Sequence, residues 1–203
     1  MCASYESRFT VRQLVDAFSA AGTPFHSGVS LPNLAEVDEV RPTDRSAVVM
    51  AGPRGEAIMA SLSFGFPPPR PKARPVVNLR GEGRVFQNGD QTGRCLVPMT
   101  GFYEFTGSTY PKTRWVFRDP EAPLLCLAAV WRAGESGAAE SFALLTSEPG
   151  PDIAPYHDRA VVIAPPKRWA DWLAGDVFPA DMIQPAPSGT VIVSAAPRPP
   201  KGD

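Results

Sequence analysis

The amino-acid sequence predicts an α+β fold, a single domain over residues 1–203 built on a curved, mostly antiparallel, barrel-like β-sheet with a few short helices. The chain contains 24 prolines and 17 glycines, which shorten helices and favour turns. Short apolar runs recur without the regular strand–helix alternation that is typical of parallel sheets. A chain of 203 residues suits one compact domain with a sizeable core better than two.

Two helices are predicted. Apolar residues at helical spacing indicate a first helix from Thr10, a suitable N-cap residue, to Ala21, with Gly22 able to end it. A short second helix is predicted from Lys167 to Leu173, and we expect its two tryptophans to point toward the core.

The remaining apolar runs predict short strands. These lie at 46–51, 57–66, 95–97, 101–105, 113–118, 124–131, 142–146, 161–164 and 190–194. Residues 23–45 are predicted to form a loop region because prolines interrupt them. The proline-rich stretch 67–75 can be neither helix nor central strand, so a surface loop is predicted there.

Charge and hydropathy limit the classes of function. The formal net charge is −1, so any contact with nucleic acid must come from a local patch. Residues 70–94 carry six basic side chains and two acidic ones, a pattern that can follow a nucleic-acid backbone but also occurs on ordinary solvated surfaces. No apolar run approaches the roughly 20 residues that span a bilayer, and no secretory signal begins the sequence. We therefore expect a cytoplasmic protein with no membrane partner.

The three cysteines differ in their sequence context. Cys95 and Cys126 lie in or beside apolar runs and are predicted to be buried structural thiols. If Met1 is removed, Cys2 offers an α-amine with a pKa of roughly 7.7–8.0 and a thiol with a pKa of about 8.5. The amine can condense with an aldehyde to a Schiff base, and the thiol can then close a five-membered thiazolidine ring. A cysteine at this position can equally be incidental.

Glu104 and His157 are candidates for proton transfer. Glu104 lies among aromatic residues in the predicted strand 101–105, where alternation places it on the face opposite Tyr103. An enclosed carboxyl group there would suit proton transfer, whereas the ordinary alternative is a solvent-facing residue on an edge strand. His157 precedes a predicted strand, beside Asp158 and Arg159, which could orient it or bind phosphate. Its ordinary alternative is a turn histidine without a catalytic role.

Asn78 and Arg80 are candidates for binding a sugar phosphate. The amide of Asn78 can donate a hydrogen bond to a sugar or carbonyl oxygen. The guanidinium of Arg80 can hold a phosphate group, and it belongs to the basic stretch described above.

Four motifs occur together in one order. They are a Met-Cys start, the segment Asn78-Leu79-Arg80-Gly81-Glu82, the block from Cys95 to Phe105, and His157-Asp158-Arg159 before an apolar strand. The combination resembles the SRAP family, the SOS response-associated peptidases, also called abasic-site processing proteins. The resemblance extends from Cys2 to about Ser194.

This resemblance implies a function. Members of the family cross-link covalently to abasic sites in single-stranded DNA through a thiazolidine at the N-terminal cysteine. By matching motif positions, the catalytic residues would be Cys2, Asn78, Glu104 and His157. The expected DNA contacts are Arg80, Arg159, Arg74, Arg84 and Phe64. Phe64 and Tyr103 are the candidates for stacking on a base, and Tyr103 can equally be a core residue. Neither a metal nor an organic cofactor is implied, and we expect a monomer whose partner is single-stranded DNA containing abasic sites.

The sequence also departs from the family pattern. Ala3 and Ser4 stand where Gly and Arg are common, and the family's Trp-Gly-Leu is here Phe64-Gly65-Phe66. Two alternatives therefore stay open, a non-covalent module that binds single-stranded DNA and a thiol-dependent peptidase. The peptidase is less favoured because no Cys–His pair lies in a recognised protease motif. The family name also implies self-cleavage that removes Met1, with Glu104 as the helper.

Overall fold

The structure is a computed structural model, and it describes residues 4–23, 25–26, 36–68, 70–137 and 139–197. Strands dominate these residues. The strands are β1 Tyr5–Ser7, β2 Phe25–His26, β3 Val37–Val40, β4 Arg45–Ala51, β5 Ala57–Phe64, β6 Asn78–Arg80, β7 Thr92–Met99, β8 Gly101–Thr106, β9 Thr113–Arg118, β10 Leu125–Ala133, β11 Ala139–Ser147, β12 Ala160–Val161, β13 Ile163–Ala164 and β14 Ile192–Ala195. The helices are α1 Val11–Ala20, α2 Trp169–Ala174 and α3 Pro179–Met182, and a 3-10 turn, Pro166–Arg168, precedes α2.

The strands form two sheets. The five-stranded sheet has the order β14-β9-β8-β1-β3, and all its neighbours are antiparallel. The second sheet runs β12-β11-β10-β7-β4-β5-β2, and a further parallel pairing of β5 with β11 closes its middle strands into a ring. We call it the ring sheet. The predicted α+β class with a curved, mostly antiparallel sheet is confirmed.

Both predicted helices are present. Thr10 and Gln13 form a reciprocal capping box at the start of α1, with the Thr10 Oγ1 accepting from the Gln13 N–H at 3.2 Å. The Phe18 ring of α1 packs 4.5 Å from the Trp169 ring of α2, which joins the two helices over the ring sheet. Among the described helices none is long and apolar enough to cross a membrane.

Two clusters of buried side chains make up the core. The first joins the helices to one side of the ring sheet. The second, which we call the inter-sheet core, contains residues of both sheets, including Tyr5, Phe102 and Phe117 from the five-stranded sheet. Cys95 and Cys126 are fully buried, as predicted, and burial raises the pKa of both thiols.

Short and polar strands account for most differences from the prediction. The region 23–45, predicted as loop, contains β2 and β3, and β1 and β6 were not predicted. β1 has only three residues, too few for a visible alternation, and all three are buried because β3 and β8 pair on either side. The predicted strand 161–164 is divided into β12 and β13.

Candidate functional site

The carboxyl group of Glu104 is enclosed by the fold. Glu104 lies in β8 and is 2% exposed, which excludes the solvent-facing alternative. Alternation along β8 puts it on the face of Phe102, which packs in the inter-sheet core. Tyr103 points the other way, where its hydroxyl donates to Glu6 Oε1 at 2.7 Å and Arg114 lies 4.3 Å above its ring. Tyr103 therefore belongs to a charged network on the opposite face.

Aromatic rings cover the face of β8 that carries Glu104. Trp115 on β9 is paired directly with Glu104, so the two side chains share one face. The indole N–H of Trp115 donates to Thr106 Oγ1 at 2.8 Å, which fixes the ring. The Tyr156 ring meets Trp115 edge-on at 5.0 Å and Phe117 at 5.3 Å. Tyr156 therefore covers this face and brings the next residue, His157, to the same side.

A hydrogen-bonded turn holds His157. Its backbone N–H donates to the Ile153 carbonyl at 3.1 Å. The carboxylate of Asp152, in the same turn, accepts from the N–H groups of Gly189 and Val191 at 3.0 and 3.2 Å. The turn is thus tied to the chain that enters β14 of the five-stranded sheet.

The protonation state of His157 follows from its neighbours. Its Nδ1 accepts from the Arg159 backbone N–H at 2.9 Å, and that N–H can only donate. Asp158 Oδ1 lies 2.7 Å from the same Nδ1 and can only accept, so the two contacts call for opposite protonation of this nitrogen. Burial lowers the pKa of His157, which favours the neutral form near pH 7.

Arg159 and Glu82 form a two-armed ion pair. Arg159 Nη1 and Nη2 donate to Glu82 Oε1 and Oε2 at 2.6 and 2.7 Å, and Nη2 also reaches Thr146 Oγ1 at 3.2 Å. The hydrogen bonds from Arg159 lower the pKa of Glu82 to about 2, so the pair is ionised across the physiological range. We call it the Glu82–Arg159 clamp. It joins the segment after β6 to the segment before β12.

Asn78 faces the same packed space as Glu104. It begins β6 and pairs with Leu144 of β11, whose side chain lies in the inter-sheet core. Gly81, just after β6, permits close approach, because a Cβ there would lie 2.8 Å from the Ile183 side chain and 3.1 Å from the Thr146 carbonyl oxygen. Asn78 on the ring sheet and Glu104 on the five-stranded sheet are thus directed at one region.

The beginning of the chain is close to Glu104. The Tyr103 N–H donates to the Ser4 carbonyl at 3.1 Å, and Ser4 Oγ donates to Glu39 Oε1 at 2.9 Å. Cys2, the predicted nucleophile, lies outside the described residues. In the sequence it precedes Ser4 by two positions.

The residues predicted to contact DNA occupy different environments. Arg74, Arg80 and Arg84 are exposed, whereas the donors of Arg159 point to Glu82 and Thr146. Phe64 requires a correction. Its ring is 0% exposed and packs between Phe142 at 5.3 Å and Tyr5 at 5.4 Å, so no base can stack on it and it is a core residue.

Sequence reasoning missed the aromatic cover and the clamp. Trp115 and Tyr156 are separated by some 40 positions, so only the pairing of β8 with β9 and the turn before β12 reveal their contact. Glu82 ends the motif that begins at Asn78, but the sequence analysis predicted no role for it. Within the described ranges, no three His, Cys, Asp or Glu side chains are grouped to hold a metal ion. The arrangement offers a carboxyl group, a neutral imidazole and an amide, which are groups for proton transfer and hydrogen bonding.

Fold and site together define a class, an α+β protein with an enclosed carboxyl group on a strand that pairs with β1 and a partly buried histidine in the turn before β12. The sequence model of the family described as SOS response associated peptidase (SRAP) matches residues 1–194. The chain therefore belongs to the SRAP family.

Solved structures share the fold. A protein from Bordetella bronchiseptica is 21% identical with a TM-score of 0.71, over 97% of this chain and 100% of that one. A phage-related protein from the same organism is 20% identical with a TM-score of 0.72, over 97% and 95%. A protein from Bacteroides thetaiotaomicron is 15% identical with a TM-score of 0.68, over 94% and 91%. No curated protein matches the sequence.

Proposed function

We propose that this SRAP protein captures abasic sites in single-stranded DNA covalently, through a thiazolidine formed by Cys2 after removal of Met1. One observation carries the proposal. The enclosed carboxyl group of Glu104 lies on β8, which pairs with β1, and the Tyr103 N–H of the same strand donates to the carbonyl of Ser4. Cys2 precedes Ser4 by two positions in the sequence, which supports a nucleophile within reach of this proton-transfer group.

The chemistry needs only the sugar aldehyde and the aminothiol. The α-amine of Cys2 adds to C1′ of the ring-opened abasic sugar, and loss of one water gives a Schiff base. The thiol then adds to the imine carbon, its proton passing to the nitrogen. One C–N bond and one C–S bond form in total, and one water leaves. A single strand suits this reaction because the sugar can be splayed out without unstacking a duplex.

Glu104 would transfer protons in both steps. A carboxyl group with little access to water interacts strongly with charges that develop next to it. It would take a proton as the amine attacks and return it to the departing hydroxyl group.

His157 and Asn78 would handle the sugar. Neutral His157 is a general base, and the ring nitrogen that carries its proton is a hydrogen-bond donor, so the residue can assist opening of the sugar ring. The Asn78 amide would hydrogen-bond the linked sugar. Arg80, exposed at the end of β6, would contact a phosphate, and the exposed Arg74 and Arg84 would add positive charge nearby.

The first experiment replaces the nucleophile. Wild-type protein is mixed with a single-stranded oligonucleotide that bears one abasic site, and the products are run on a denaturing gel. We expect a heat-stable adduct for the wild type and none for Cys2→Ala. Borohydride, which reduces a Schiff base, should restore an adduct with Cys2→Ala, because its terminal amine remains. An undiminished adduct with Cys2→Ala in the absence of borohydride would overturn the proposal, as would a retained Met1 in the mass of the reactive protein.

The second experiment tests proton transfer. Glu104→Gln keeps the shape of the side chain but removes its acid–base function, so cross-linking should slow at least tenfold, given the 10²–10⁴-fold that such catalysis supplies. Glu6→Gln is the matched control, since Glu6 is also buried but lies on the opposite face, bound by Arg118 and Tyr103. Glu6→Gln should lower the melting temperature but leave the cross-linking rate of the folded protein unchanged. Equal rates for Glu104→Gln and the wild type would exclude the role.

One observation favours a second candidate, a non-covalent module that binds single-stranded DNA. Ser4 stands where the family commonly has Arg, and its hydroxyl is engaged by Glu39 and not offered to a ligand. Under this alternative, a native gel would show a shifted band while the denaturing gel shows no adduct. Cleavage of an unrelated protein that depends on Cys2 would instead indicate a thiol-dependent peptidase.

A further inference from the structure

We propose that the loop joining β8 to β9, residues 107–112, is a second contact surface for single-stranded DNA, where Tyr110 stacks on a base and Lys112 binds a phosphate. The inference rests on the proposed function and extends it, because it names the surface that would hold the strand beside the reactive sugar. Neither residue belongs to the basic stretch 70–94.

The side chain of Tyr110 does not pack in the core. It is 87% exposed, the most exposed aromatic residue in the described part of the chain. No hydrogen bond or ring contact involves it within that part, whereas the rings at the base of the hairpin, Trp115 and Phe117, are all packed. An exposed ring at a hairpin tip has both faces available, and bases stack on such rings without regard to sequence.

The loop borders a groove at the ends of β8 and β14. A cavity of about 690 Å³ lies between the loop and the chain at the end of β14, with Phe105, Tyr110, Lys112 and Ala195 among its lining residues. Phe105 follows Glu104 in β8, and strand alternation puts its side chain on the opposite face, with Tyr103 and Arg114. The volume lies within the roughly 300–1,000 Å³ of ordinary ligand sites, so a nucleotide has room there.

The charge of the groove complements a phosphate. Among the described residues, no carboxylate lies within 4 Å of the Lys112 ammonium group. This positive charge contributes to the lowered pKa of His157, although burial is the larger cause, so Lys112 acts within electrostatic range of the site. The other cation of the groove, Arg114, is engaged by the Tyr103 ring and by Glu39 at 3.6 Å. Lys112 is therefore the groove's available cation.

The surface would complete a path for the strand across both sheets. Arg80 is exposed at the end of β6 and belongs to the ring sheet, whereas Lys112 precedes β9 of the five-stranded sheet. Asn78 and Glu104 are divided between the same two sheets. A strand bound by Arg80 and Lys112 would have one phosphate contact on each sheet.

The test uses intact single-stranded DNA and abasic DNA in parallel. Binding of a labelled intact oligonucleotide is measured by fluorescence anisotropy over a range of salt concentrations. Tyr110→Ala should raise the Kd about fivefold or more, given the value of base stacking on an aromatic ring, and Tyr110→Phe should bind as the wild type. Lys112→Gln should reduce the slope of log K against log salt by about 0.7, the value of one phosphate contact on a single strand.

Controls and the abasic oligonucleotide separate the two proposals. Lys112→Arg keeps the charge, and Lys167→Gln removes a charge from the exposed 3-10 turn, so both should preserve the wild-type slope. If Tyr110→Ala and Lys112→Gln bind intact DNA as the wild type does, the loop 107–112 is not a DNA contact surface, even if the abasic oligonucleotide cross-links. If the variants weaken binding but the wild type forms no adduct, the surface stands and covalent capture fails. Absence of any binding by the wild type overturns the surface as well.

Discussion

Arg80 and Arg159 approach the same carboxylate from two segments of the chain, and their situations are opposite. Arg159 is 18% exposed and gives two short hydrogen bonds to Glu82. Arg80 is 69% exposed, and its Nε lies 3.6 Å from Glu82, beyond hydrogen-bonding distance. The sequence predicted a DNA contact for both residues, and both assignments stay predictions.

The difference separates positioning from contact. Arg159 holds the two segments that carry Asn78 and His157 together, and its backbone N–H donates to His157 Nδ1. A phosphate would have to compete with Glu82 for its guanidinium group. Arg80 is free to meet a phosphate at little cost, because its weak contact with Glu82 is solvated. Removing Arg159 should therefore affect the fold first, and removing Arg80 should affect DNA binding first.

The largest expected effect is the decrease in the free energy of unfolding when the Glu82–Arg159 clamp is broken. Arg159→Ala removes two charge-assisted hydrogen bonds and leaves Glu82 without them, so the free energy of unfolding should fall by about 2 kcal/mol. Arg80→Ala should change it by less than about 0.5 kcal/mol, as exposed ion pairs do. Urea denaturation followed by circular dichroism measures both values.

Glu82→Gln and the double variant supply the control. Because one interaction is lost in either case, Glu82→Gln combined with Arg159→Ala should cost little more than Arg159→Ala alone. The folded-state pKa of Glu82 is lowered from 4.5 to about 2, so the stabilisation is present above pH 4.5 and is lost as pH falls toward 2. Equal and additive decreases in the free energy of unfolding for Arg80→Ala and Arg159→Ala would contradict the different roles of the two arginines.

A smaller effect separates the two arginines in DNA binding. Arg80→Gln should reduce the slope of log K against log salt by about 0.7, because one phosphate contact to a single strand is lost. Arg159→Lys retains the charge but not the two-armed geometry, so it should keep the slope and lower the melting temperature. Anisotropy with an intact oligonucleotide and thermal unfolding measure the two quantities. A loss of slope in a variant that removes the charge of Arg159 but not in Arg80→Gln would show that the contact had been assigned to the wrong arginine.

The sequence predicted the fold where local signals agree with burial. Thr10 and Gln13 form the expected cap of α1, and the strand 113–118 was predicted with its observed bounds. β1 and β3 were missed because they are short and polar and exist through pairing. β1 lies between β3 and β8, where Tyr5 pairs with Val40 and with Phe102, residues far away along the chain. Such pairing is decided by long-range geometry and leaves little periodicity in the sequence.

The sequence named the residue types of the candidate site, and these stay predictions, but it did not show the contacts that hold them in place. The enclosure of Glu104 follows from aromatic neighbours and strand alternation, both visible in the sequence. The Glu82–Arg159 clamp joins positions 77 residues apart, and an isolated arginine carries no sign of whether its donors will meet a carboxylate or solvent. Phe64 shows the converse, since an aromatic residue near a predicted site looks the same in sequence whether it faces DNA or the core.

The smallest expected effect concerns His157, which the Arg159 segment holds and the Arg80 segment does not. Burial lowers its pKa below 6.5, so the unfolded chain binds more protons as the solution is acidified. The free energy of unfolding should therefore decrease as pH falls below 6.5, and His157→Gln should lack this component. Arg159→Ala keeps the backbone N–H that binds Nδ1, so it should retain the component while losing the clamp. Denaturation curves from pH 7.5 to 5 give the free energy of unfolding of each variant and of the wild type. A free energy of unfolding that rises on acidification through this range would mean that the folded protein favours the protonated ring.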